Sequence, residues 1–182
     1  EMQAMAVAAA LVLGTAPSAT ASAQQVVGGG ATAWRTPVVL MDSTGKVAAR
    51  PLNDNIMLVA ANGGDIEAPA LIRPIYDDAG REVSGVATWQ AGGSVLFTSP
   101  DCTTGAYGHS SSRAGMRAAA QVETPVGVVL YVGAVGTSTA AVIHSILYGN
   151  GCAPVTVQQG GLVAVEATVN LTLTFPPPLS LR

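Results

Sequence analysis

The one segment that suggests a nucleophile is Gly108-His109-Ser110-Ser111-Ser112. It opens like the G-x-S-x-G elbow that raises a serine for acyl transfer, but Ser112 stands where the closing glycine belongs. An elbow also needs a strand before it, a helix after it and a parallel α/β sheet beneath it. Here the segment follows Cys102 in a β-rich stretch. Triads are defined by geometry and not by chain order, so Ser110 with His144 and Asp101 stays open on residue types alone. The competing reading, a polar Ser and Gly loop, fits the local composition better. Gly136-Thr137-Ser138 also lacks the closing glycine and reads as a turn between apolar strands. No catalytic residue is assigned.

The remaining candidates have structural explanations. Gly28-Gly29-Gly30 has no following helix and no Walker lysine, so it reads as a linker and not a phosphate cradle. Asp77-Asp78, and Asp65 with Glu67, sit in turn-like surroundings, without the buried carboxyl that glycoside hydrolysis requires. Cys102, Cys152, His109 and His144 have no metal-ligand spacing, and no C-x-x-C pair exists. Neither a metal nor a cofactor is expected. Asn170-Leu171-Thr172 matches a glycan acceptor but lies in the longest expected strand. Trp34, Trp89 and the four tyrosines are too dispersed for a carbohydrate platform.

The elements that would have to position these groups are strands. The chain has 182 residues, 49% hydrophobic and 10% charged, enough for one apolar core. Eight Lys and Arg against eleven Asp and Glu leave a net charge of -3, with no basic excess for nucleic acid or an anionic membrane. Runs rich in Val, Ile, Leu and Thr, broken by Gly, Asn, Asp and Pro, predict an all-β, antiparallel sandwich or barrel-like domain. The expected strands are 37–41, 55–60, 70–76, 82–89, 94–98, 127–132, 141–148, 154–158 and 162–175. The last alternates, with Val163, Val165, Ala167, Val169, Leu171 and Leu173 on the core face. Segment 111–122, with Arg113, Met116, Arg117 and three alanines, is the best helical candidate, with one short turn or a loop as an equal alternative. Two segments echo each other: Val39 to Val47 and Pro74 to Val83 share an apolar stretch, an Asp, two small or polar residues, a Gly and a cation. The Asp can accept backbone hydrogen bonds and the Gly supplies positive φ, so both read as hairpin turns. An EF-hand reading fails, because neither has its alternating oxygen ligands or a twelfth-position Glu.

The first residues read as an address. Ala4 to Gly14 is an apolar run of signal-peptide length, and Ala21-Ser22-Ala23 supplies an A-x-A cleavage signature. Pro17 interrupts the run short of the about 20 residues a spanning helix needs. The basic n-region is missing, the first positive charge being Arg35. The expected organisation is a signal peptide over 1–23, a flexible lead-in over 24–36, and one β-rich domain over 37–182 with a Pro-rich C-terminal tail. Export to an oxidising compartment makes a Cys102–Cys152 disulfide the simplest use of the two cysteines.

The V-x-x-D-S-T-G-K-V hairpin, the central Phe97-Thr98-Ser99-Pro100-Asp101-Cys102-Thr103-Thr104-Gly105-Ala106-Tyr107, the late Cys152 and the closing Phe175-Pro176-Pro177-Pro178-Leu179-Ser180-Leu181 resemble a loose group of small exported bacterial β-rich proteins of unknown function. In that group the central motif more often reads D-C-x-G-x-A-Y, whereas an extra threonine here separates Cys102 from Gly105. The resemblance implies no catalytic residues. Three functions remain. The first is a non-catalytic exported domain with an envelope-associated, structural or adhesion role, its partner an unknown surface or protein or another copy met through exposed edges or the tail. The second is a small-ligand binder with an apolar cavity, and the third a secreted serine hydrolase.

Overall fold

A computed structural model describes residues 38–110, 116–149 and 151–182. The segments 1–23 and 24–36, with Pro37, lie outside the described residues, as does 111–115 of the expected helix. In chain order the elements are β1 (Leu40–Met41), β2 (Val47–Pro51), β3 (Ile56–Ala61), a 3-10 turn (Asn62–Gly64), β4 (Ile66–Tyr76), β5 (Glu82–Trp89), β6 (Ser94–Phe97), β7 (Ala106–His109), β8 (Ala119–Thr124), β9 (Gly127–Gly133), β10 (Thr139–Tyr148), β11 (Gly151–Asn170), the single helical turn α1 (Leu171–Thr174) and β12 (Leu179–Leu181). The fold is all-β, as the sequence predicts.

Six antiparallel strands close into a barrel in the order β1-β12-β5-β4-β3-β2. Period-two alternation drives this. Met57, Val59 and Ala61 of β3 and Ala68, Ala70 and Ile72 of β4 point inward, while Glu67, Leu71 and Arg73 face outward. A six-stranded barrel has a narrow interior. The alanines 48, 49, 68, 70 and 87 accordingly leave room for Leu40, Met57, Trp89, Phe175 and Leu179.

Both echoed turns form, with matching hydrogen bonds. Asp42 Oδ1 accepts from the Thr44 and Lys46 amides (2.9 and 3.0 Å), and Asp77 Oδ1 from the Ala79 and Arg81 amides (both 2.9 Å). Gly45 and Gly80 close them at φ +84° and +74° and donate to the Asp42 and Asp77 carbonyls.

The C-terminus departs from expectation, and two readings are corrected. The alternation of 162–175 holds through Val169, but the Asn170 side chain accepts from the Leu173 amide at 3.0 Å and caps a helical turn. Leu171 is thereby turned into the barrel core, whereas Leu173 is 71% exposed. Beyond it, Phe175 packs against Trp89 (centroids 6.5 Å apart), the Trp89 indole donates to the Phe175 carbonyl at 3.0 Å, and the Ser43 amide donates to the Pro176 carbonyl. The Pro-rich stretch is therefore not a tail: it leads into β12, which pairs with β5 (Leu179↔Ala87) and β1 (Leu40↔Leu181) and closes the barrel. A closed barrel has no free edge for another copy to extend.

The other six strands form a sheet in the order β10-β6-β7-β11-β9-β8. Because β10 also pairs with β11, the strands β10, β6, β7 and β11 make a closed circuit of their own. Expected strands 154–158 and 162–175 merge into β11, which pairs first with β10, then with β7, then with β9. Strand β6 is covered on both faces: Leu96 meets Ile143 and Leu162, while Val95 and Phe97 meet Val122. Leu130 and Val132 of β9 join the barrel core beside Leu171.

The end of the helical candidate 111–122 is neither helix nor loop but part of strand β8. Alanine and arginine favour helix locally, but six cross-strand pairs with β9, from Ala119↔Val132 to Thr124↔Gly127, override that preference. Gln121 on β8 then latches the sheet to the barrel. Its buried side-chain amide donates to the Leu71 carbonyl at 3.0 Å and accepts from the Leu71 amide, and its own carbonyl accepts from Gly92 and Gly93 (3.1 and 2.9 Å). Gln121→Ala strips both side-chain partners from Leu71 and is expected to destabilise the fold by about 2–3 kcal/mol. A urea midpoint unchanged from the wild type would contradict the latch.

Candidate functional site

The structure does not bring the candidate triad together. Ser110 follows β7, its amide donating to the Gly161 carbonyl at 2.9 Å. His144 lies within β10, between residues that pair with Val157 and Pro154. Asp101 sits in the exposed β6–β7 loop, its carboxylate accepting from the Thr103 hydroxyl at 2.6 Å. That bond and the Ser99 hydroxyl hold the Asp101 carboxyl below the ordinary aspartate range. Among the described residues no hydrogen bond joins any two of the three, and no group of three or more His, Cys, Asp or Glu is placed to hold a metal. No helix among them is long and apolar enough to cross a membrane.

Cys102 and Cys152 do come together, at disulfide distance with Cα atoms 5.9 Å apart. The pair ties the β6–β7 loop to the start of β11. Ser145 organises the same loop from β10: fully buried, its hydroxyl accepts from the Cys102 amide at 3.1 Å and donates to the Ser99 carbonyl at 2.6 Å. These bonds hold Cys102 at φ +56°, a left-handed conformation that side chains other than glycine seldom adopt. The Ser99 hydroxyl accepts from both the Thr103 and Thr104 amides and holds the loop that follows Cys102. Gly105 completes the loop at φ +67°, where a Cβ would also collide with the Thr98 hydroxyl.

Charge is distributed unevenly. The carboxylates and cations from Asp42 to Glu82 belong to the barrel strands and their turns, whereas no Asp, Glu, Lys or Arg occurs from Thr124 to Val165. That charge-free run contains β9, β10 and most of β11. The β10–β11 ribbon is also widely exposed: Thr139, Ala140, Val142 and Tyr148 on β10, and Thr156, Val157 and Gln158 on β11. Val142 pairs with Gln158, which sets these two exposed side chains on one face with Thr156 two residues along the strand, whereas Val157 pairs with the buried Ile143 on the other face. Val142 is 44% exposed and Tyr148, near the hairpin end, 58%. The sequence carries the signal for this face as an interruption in charge, which motif reading passes over.

No family model, curated protein or solved structure matches this chain.

Proposed function

We propose that this is an exported β-domain that acts by contact and not by catalysis, with the uncharged exterior of the β10–β11 ribbon as its contact face. The carrying observation is the exposure of that ribbon in a run without one formal charge. Solvated faces of soluble proteins normally mix both signs of charge. A face of valine, threonine, glutamine and tyrosine loses little hydration when it meets another uncharged surface. Export is supported by the apolar 4–14 segment with its A-x-A site and by the cysteine pair at bonding distance.

Val142→Glu with Thr156→Glu tests the reading, since both side chains are exposed and the fold is expected to change by no more than about 0.5 kcal/mol. Envelope and soluble fractions of the native host are compared for wild type and variant. The wild type is expected in the envelope fraction and the variant in the soluble one. The same distribution for both would overturn the contact face.

A further inference from the structure

Between the barrel and the second sheet lies a cavity of about 530 Å³, within the range of small-molecule sites. Its walls come from both halves: Leu71 on β4, Gly92 and Gly93 after β5, Gly108 on β7, Ala120 on β8 and Tyr131 on β9. The space exists because side chains are small or missing. Gly108 shows this most directly. Successive side chains on a strand alternate in direction, so a side chain at 108 would share the face of Ala106. Ala106 packs in the cluster with Tyr131 and Val165, and both of those line the cavity. A Cβ built on Gly108 meets nothing within 4 Å.

Among the described residues no Asp, Glu, Lys or Arg lines the cavity; the polar groups there are the Gln90 amide, the Ser94 hydroxyl, the His109 imidazole and the Tyr131 phenol, with the Gln121 amide already used on Leu71. The Tyr131 hydroxyl bonds to none of the described residues, and burial raises its pKa, so it stays protonated as a donor. A charged ligand would lose its hydration here with no counter-charge to replace it. An apolar body fits the aliphatic walls, and a hydroxyl or carbonyl fits the Tyr131 phenol and the Gln90 amide.

We propose that this cavity is a binding site for an uncharged, mainly apolar small molecule bearing one or two hydroxyl or carbonyl groups. It is independent of the contact face on the β10–β11 ribbon.

Two fluorescent probes of similar aromatic body test the site on the purified protein. N-phenyl-1-naphthylamine is neutral, and 1-anilinonaphthalene-8-sulfonate carries a charge. The neutral probe is expected to bind at one site, and the sulfonate about tenfold more weakly or not at all. Gly108→Phe places a ring in the cavity and is expected to weaken the neutral probe about tenfold, the order that a few carbons of lost fit produce in an apolar pocket. Gly108→Val, whose side chain suits a strand, repeats the test with a smaller loss if the phenylalanine variant fails to fold. No binding of the neutral probe by the wild type would overturn the proposal. So would equal binding of the two probes, or a folded Gly108 variant that binds like the wild type.

Discussion

Replacing Cys102 and Cys152 together by serine is expected to lower stability by about 4 kcal/mol, the chain-entropy value for a loop whose ends are 50 residues apart. That is a large share of a small domain's about 5–15 kcal/mol. The position of the bridge makes the loss regional. It holds the β6–β7 loop against β11, and with Ser145 it keeps Cys102 in its left-handed conformation. Once the bond is gone, the β6, β7, β10, β11 circuit is expected to lose hydrogen-exchange protection first, while the barrel keeps its own. Urea titrations of the oxidised and serine forms measure the total. A difference below about 1 kcal/mol would mean that the bridge closes a loop the fold already holds.

Truncation after Pro178 is expected to leave a chain without a cooperative tertiary fold. Leu179 is fully buried in the barrel core, and its loss alone is worth about 2–5 kcal/mol. Removing β12 also strips β1 and β5 of a shared neighbour and opens the strand circuit that encloses Met57, Val59 and Trp89. The exposed edges that result are templates for association. Near-UV circular dichroism of the truncated chain is expected to lose the Trp89 signal, with a broad thermal transition. A sharp transition near the wild-type temperature would show that the barrel closes without its last strand.

What the sequence discloses follows the range of the forces involved. The Asp42 and Asp77 turns were legible because donor, acceptor and glycine lie within five residues of one another. Strand Glu82–Trp89 was legible to the residue, and Leu162 to Val169 by its alternation. Strand β12 was not, because Leu179-Ser180-Leu181 behind three prolines has no periodicity and gains its structure from β1 and β5, far away in sequence. Strand β8 was hidden by alanines, and β7 by its brevity and Gly108. The turn of the chain at Asn170 rests on one side-chain cap, which the apolar pattern running on through Leu173 conceals. The charge-free run from Thr124 to Val165 is present in the sequence but was not read there, and the exposure of the β10–β11 ribbon shows only in the fold. The cavity was not legible, since it depends on side chains that are absent at Gly92, Gly93, Gly108 and Gly133, in three separate segments.

Export into an oxidising compartment underlies the proposed role, and the intact mass of the protein recovered from its native host's envelope and medium tests it most directly, measured with and without reduction before thiol alkylation. A mass beginning at Gln24, with two alkylations appearing only after reduction, is the predicted result. A mass retaining residues 1–23, with both thiols alkylated before any reduction, would contradict it.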